Sequence, residues 1–361
     1  MKQGSMVNNV VLMDPFSDPR WDSFVASHPS GWLTHLSGWT ELLEGTFKRM
    51  KGYHLALLDA TKHEIRAALP VFLVKNLFTG SRLVSVPLGT LCGPLVTEPE
   101  DLEQLVDSLL LLSEEVGASS LELRTYGEIS GLSDERLGES NYFKHHCLLL
   151  TPGPEELKKS FHRSCVRQKI ERAVNSGLKL KIGAEETDLR LFYRLHVTMR
   201  KRLGLPPQPY AFFEMLWKTF SPKGEVELLL AQDGASTPAG LMLFKYNGRV
   251  SAEILANDES VSEKSPNHFL FWEAIKRGCA EKYTVFDFGR TSPDNETLMA
   301  FKGRWGTQVQ EMPTYYHPGT LNSSERSESK SVCRSLVRNL CRKTPEKVLG
   351  LAGNLYYRVV M

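Results

Sequence analysis

A chain of 361 residues is longer than one ordinary hydrophobic core supports, so two domains are expected. With 41% hydrophobic and 24% charged residues it has ample apolar surface to bury, which excludes wholesale disorder. The net charge is only +2, of which Leu321 to Met361 contributes a net +5; the remainder is slightly acidic, which argues against a DNA-binding surface.

The opening MKQGSMVNNVVLMDPF holds no apolar run of signal-peptide length, and no later stretch reaches the ~18 apolar residues of a bilayer span, so a cytoplasmic location is expected. Hydrophobic periodicity then predicts a short strand near 9–13, helices near 18–27 and 38–46, and strands at 53–59, 64–74 and 81–87. A helix near 101–117 follows, with Leu102, Leu105, Val106, Leu109, Leu112 and Val116 at helical spacing. A strand at 119–125, a short helix and a strand at 143–150 close this half.

The same order then returns. A strand at 178–182 precedes helices at 186–203 and 209–219 and strands at 225–231, 238–246 and 249–257. Helix 266–281, strand 283–288, short helix 294–302 and strand 307–316 complete it, offset by roughly 165–172 residues. This predicts a tandem duplication of one α/β (α+β) unit, each copy a mixed β-sheet flanked by helices. The expected domains are 1–152, a basic connecting helix at 153–177, a second domain at 178–318, and at 319–361 a polar linker with a basic amphipathic helix. For that last helix two readings stay open: a peripheral contact with a membrane, or packing on the protein's own surface.

Two segments resemble the FemABX-like branch of the GNAT acyltransferase superfamily. The linker carries R-x-x-I-x-R-A-x-x-x-G as Arg167, Ile170, Arg172, Ala173 and Gly177, similar to the basic signature of that group. The run from Pro266 to Gly306 looks like the family's helix, its strand ending in D-F-G, and its F-K-x-x-[FW]-G close. RKRLGLPPQP (200–209) resembles a segment of polysaccharide-associated members. The resemblance implies tandem GNAT-like domains transferring an acyl or aminoacyl group to an amine of a small-molecule or lipid-linked cell-envelope or polysaccharide substrate. The donor is acyl-CoA or aminoacyl-tRNA, which makes tRNA a potential partner. The alternative is a catalytically silent scaffold on the same fold.

On this resemblance Lys302, in AFKGRWG, corresponds to a lysine beside the transferring carbonyl, where a cation stabilises oxyanion charge. Asp287, in VFDFG, is the second catalytic candidate, a carboxylate able to orient an amine at a strand end, though Asp also serves turns. Arg163, Arg167, Lys169 and Arg172 are spaced to converge on a phosphate, or to form a solvated helix face. Asn267 lies at the start of a helix whose free N–H groups favour anions. The preceding SVSEKSPNH, however, lacks the glycines with which acetyl-CoA-using relatives approach pyrophosphate. His196 and Arg200, four apart on a helix, and Arg290 and Arg304, flanking the short helix, complete the substrate-binding candidates. Six cysteines without a C-x-x-C or Cys/His cluster give no metal-site pattern and read as free thiols.

Overall fold

The computed structural model describes residues 9–77, 80–125, 132, 134–319 and 335–361. The first part of the chain forms β1 (Val10–Leu12), α1 (Arg20–Ser27), α2 (Ser37–Thr46), β2 (Met50–Leu58), β3 (Ile65–Asn76), β4 (Gly80–Val84), β5 (Leu95–Val96), α3 (Pro99–Glu115), β6 (Ser120–Arg124) and β7 (Gly138–Ser140). There follow β8 (Lys144–Leu149), α4 (Pro154–Ser160), α5 (Gln168–Asn175), β9 (Lys179–Ile182), α6 (Glu186–Leu203), α7 (Tyr210–Phe220), β10 (Val226–Asp233), β11 (Ser236–Tyr246) and β12 (Arg249–Asn257). The remainder is α8 (Pro266–Ala280), β13 (Val285–Thr291), α9 (Glu296–Gly303), β14 (Gln308–Glu311), β15 (Thr314–His317) and α10 (Glu346–Val360). Among the described residues no helix is long and apolar enough to cross a membrane.

Two compact units result, one of residues 1–141, 312–322 and 357–361, the other of 142–311 and 323–356. The first sheet runs β1-β2-β3-β4-β6-β15-β7, with β5 beside β3; the second runs, from its opposite end, β9-β10-β11-β12-β13-β8-β14. Position for position these orders match. In each, the one parallel pair among the described residues is the fourth strand beside the fifth, β4 with β6 and β12 with β13, joined through α3 or α8. The duplication read from the sequence is therefore present in the topology.

The sixth strand of each sheet departs from the expected domains. β8, expected to close the first half, lies between β13 and β14 in the second sheet, while β15 lies between β6 and β7 in the first. The expected strand 307–316 accordingly splits: β14 pairs with β8, the chain changes sheet at Met312 and Pro313, and β15 pairs with β6 and β7. Pro313 has no N–H for a ladder, which suits it to the break. The short helix expected between β6 and β8 falls largely on residues outside those described.

The connecting segment is likewise not one helix. α4 stops at Phe161, whose backbone is extended, and the His162 ring accepts the Cys165 N–H to start a π-helical turn, Arg163–Arg167, that continues into α5. Phe161, Val166, Ile170 and Ala173 are buried with α8 in the core of the second unit, so this stretch is part of that unit.

The second sheet is covered on both faces. Leu241, Leu243, Val250, Phe286 and Phe288 meet Phe269, Leu270, Phe271 and Trp305 on one side. On the other, α6 rests directly on β11: a Cβ at Gly240 would lie 2.7 Å from Phe192 and 3.0 Å from Leu230. Gly240→Val is expected to cost about 1–3 kcal/mol. The readout is a lower urea midpoint at unchanged slope, and an unshifted midpoint would contradict this packing.

The polar linker expected after Pro318 lies outside the described residues. Beyond it the expected single helix is two, residues 335–343 and α10, separated at Thr344 and Pro345. Val337, Cys341 and Leu349 pack against Tyr193 and Val197 of α6. The inner face of this tail thus covers the protein's own surface.

Candidate active site

The second unit opens where its parallel strands part. β12 and β13 pair only at Arg249 with Val285, Val250 with Phe286 and Ser251 with Asp287, although β12 continues to Asn257 and β13 to Thr291. Beyond Ser251 the facing edges separate at the carboxyl ends of both strands, where α/β folds commonly place ligands. α8 begins on this side, after Ser265 in the left-handed conformation and Pro266 in the first turn.

Asp287 is fully buried within β13 rather than at its end, because the strand continues to Thr291 across a bulge that precedes Arg290. Its alternation with Phe286 and Phe288 sends those rings into the α8 core and the carboxylate to the other face. There Oδ1 accepts from His145 Nε2 at 2.8 Å and from the Gly289 N–H at 2.6 Å, and Oδ2 from Arg249 at 3.1 Å. Burial opposes ionisation, but His145, Arg249 and the Gly289 N–H together hold the carboxyl below its ordinary range. Burial also works against a charged His145, yet Asp287 outweighs it and raises the imidazole to about 9. Cys147 Sγ lies 3.4 Å from His145 Nδ1 and 3.6 Å from the Arg249 guanidinium.

His145, Cys147 and Asp287 offer donor atoms within 4.8 Å of one another, a spacing compatible with a metal ion. Arg249, reaching both Asp287 and Cys147, already supplies a cation to these donors, and both ring nitrogens of His145 are engaged. The cluster is therefore built as an ion network.

Lys302 turns inward from α9, only 6% exposed, and donates through Nζ to the carbonyls of Gly289 at 2.9 Å and Arg290 at 3.2 Å. Burial pushes its ammonium down to about 8, opposed by the charges of Asp287 and Glu253. The position is fixed by Trp305, fully buried among Phe161, His268, Phe271, Phe288 and Phe301. The sequence FKGRWG thus sinks an aromatic anchor and carries the lysine in with it. Beside it, His146 contacts Thr307 and Met299, and burial together with the Lys302 charge lowers it to about 4.

The structure brings Lys302 and Asp287 into one electrostatic neighbourhood. Lys169 is half-buried and near enough to His268, in the first turn of α8, to help burial depress that imidazole to about 4. Asn267 Oδ1, Thr291 Oγ1 and Arg167 Nε are buried with no hydrogen-bond partner among the described residues. Arg163, Arg172 and Arg304 are exposed. Arg290 lies over the Phe143 ring at 4.4 Å. His196 and Arg200 are engaged elsewhere: His196 bonds Gln208 at 2.8 Å, and burial lowers it to about 3, while Arg200 donates to the Pro206 carbonyl. Both brace the α6–α7 connection. A cavity of about 400 Å³ lined by Leu150, Lys276, Lys282 and Tyr283 lies at the other end of α8, and none of the candidates lines it.

Sequence reading missed His145, His146, Cys147, Arg249 and Glu253. Its available signal was KHHC (144–147), an ionisable run opening an otherwise apolar strand.

Residues 160–302 match the sequence profile described as Acetyltransferase (GNAT) domain. The chain carries a GNAT domain. Its β12, α8 and β13 bear the open edge, and its last matched residue is Lys302. No curated protein matches the chain in sequence. Among solved structures, FemX aligns with TM-score 0.68 at 17% identity, covering 88% of this chain and 98% of FemX. The C-terminal domain of a putative lysylphosphatidylglycerol synthetase from Agrobacterium fabrum gives 0.55 at 12%, covering 88% and 95%. A tandem GNAT protein from the clavulanic acid biosynthesis pathway gives 0.54 at 11%, covering 87% and 99%. The fold around the matched segment is thus similar to that of FemX over most of the chain, with a GNAT-like unit in each half.

Proposed function

We propose that this protein transfers an acyl or aminoacyl group to an amino group of a cell-envelope or polysaccharide-linked acceptor by direct attack of the amine. The observation that carries the reading is the buried Lys302 ammonium beside the strand edges that part at Ser251 and Asp287. Attack on a thioester or ester carbonyl loads negative charge onto its oxygen. A partly desolvated ammonium stabilises that charge more than water does. With its proton held at about 8, Lys302 is also suited to pass a proton to the leaving thiolate or alkoxide as the tetrahedral species collapses and to be recharged by the proton that the attacking nitrogen sheds. No covalent enzyme intermediate is required, since positioning supplies much of the rate.

Arg163, Arg167, Lys169 and Arg172 would hold the donor's phosphates beside the first turn of α8, with Asn267 adding a polar contact. The acceptor class rests on the family resemblance and on the name of the Agrobacterium structural neighbour, a putative lysylphosphatidylglycerol synthetase. A silent scaffold is favoured by one feature: the 3-10 turn Glu259–Lys264 and Ser265, leading into α8, contain no glycine.

Titration with acetyl-CoA, aminoacyl-tRNA and nucleotide-sugar precursors separates the two. Transfer predicts binding of one acyl donor, weakened roughly tenfold by Arg167→Ala or Lys169→Ala. No donor binding leaves the scaffold reading. Binding indifferent to both substitutions removes the basic turn from the site.

A further inference from the structure

The C-terminal helices have two apolar faces. One is buried: Leu349 packs on α6, and Gly353 and Tyr357 lie along the same side of α10. The opposite side, which on a surface helix is ordinarily polar, carries Val348, Leu351, Ala352 and Leu355, with Leu351 72% and Leu355 64% exposed. Helical spacing groups these four along one stripe. Residues 335–343 repeat the pattern, Val337 and Cys341 turned to α6 and Leu336 and Leu340 outward at 64% and 68% exposure. Because both helices direct their inner residues to α6, both outer faces look away from it.

Around these apolar side chains stand Arg342, Lys343, Lys347 and Arg358, all exposed, against a single acid among residues 335–361, Glu346, while Arg338 turns to Gly204 at the end of α6. Exposed leucines ringed by cations oppose self-association through the same face, since two copies would bring like charges together. They complement a surface that is apolar within and anionic at its rim. We propose that the outer face of residues 335–343 and α10 docks on an anionic lipid bilayer, with Leu336, Leu340, Leu351 and Leu355 at the acyl boundary and Arg342, Lys343, Lys347 and Arg358 at the headgroups. This inference does not depend on the acyl-transfer reading.

The test is flotation of the full chain with vesicles of phosphatidylcholine alone and of phosphatidylcholine with phosphatidylglycerol. The intact protein is expected to float with the anionic vesicles and to lose much of that binding at high salt. Leu351→Ser with Leu355→Ser should abolish it, and Lys343→Gln with Lys347→Gln should weaken it by roughly tenfold or more. These side chains are exposed, so the variants keep the buried packing on α6. Failure of the intact protein to float with anionic vesicles overturns the proposal. Equal binding to neutral vesicles, or a dimer in solution that the leucine substitutions dissolve, does so too. Donor titration of the same variants keeps the two readings apart, because neither pair lies in the proposed active site.

Discussion

Replacing Lys302 by methionine is expected to lower turnover by ~10²–10³-fold, the range for removing one preorganised oxyanion donor. Methionine preserves much of the volume beside Trp305, so the loss reports charge rather than a collapsed pocket. The pH profile gives the stronger test. A lysine acting as a cation is active below its own titration and is lost above it, so the wild-type rate should fall as pH rises through about 8. That limb should vanish in Lys302→Met and move upward in Lys302→Arg, which stays charged. A rising limb through pH 8 that is present in the wild type and absent in Lys302→Met makes the neutral amine a general base, since a rise shared by both belongs to deprotonation of the acceptor amine. Turnover unchanged in Lys302→Met removes the residue from the reaction altogether.

The duplication was legible because each half repeats periodic apolar segments that burial in a sheet or against it demands. Predicted and observed bounds of α6 and β12 coincide, and those of α8 differ by one residue. What escaped was pairing at long range. β8 and β15 carry the periodicity of any half-buried strand, and nothing local specifies which sheet receives them. The connecting segment looked continuous because Phe161, Cys165, Ile170 and Ala173 read as one periodic run, whereas the extended backbone of Phe161 ends α4 and the His162 ring caps the turn that follows.

The candidate site divides along the same line. Lys302 and Asp287 stood in short motifs, whereas His145 meets Asp287 across 142 residues of chain and Arg249 meets it across 38. His196 and Arg200 share a helix face, but the loop that follows α6 folds back and takes up Nε2 of the one and the guanidinium of the other. Spacing on a helix told which side chains were neighbours and left open what would cover them.

Breaking the buried ion network should be costly to the second unit. Asp287→Ala leaves Arg249 and His145 facing an emptied carboxylate site. Because breaking one partner of a buried pair strands the other, the expected loss is about 3–5 kcal/mol. Its pH signature follows from the two shifts. The Asp287 contribution is complete above the unfolded value near 3.8 and is lost as pH falls through the lowered folded value. For His145 the folded protein holds a proton that the unfolded chain releases above 6.5, so its contribution is complete below 6.5 and drains away as pH rises through about 9. Lys302 has the opposite sign: depressed to about 8 from 10.5, it lets stability rise with pH in that upper interval. Five buried histidines held below their ordinary value, His35, His54, His146, His196 and His268, also let stability rise with pH toward and past 6.5. All of these are shared by His145→Gln, which can still donate to Asp287 without titrating, so the His145 imidazole is read from the difference: the melting temperature of the wild type relative to that of His145→Gln should decline as pH rises from 6.5 through about 9. A difference that stays constant over that range would show that the imidazole enters the fold uncharged, leaving Arg249 as the cation that balances Asp287.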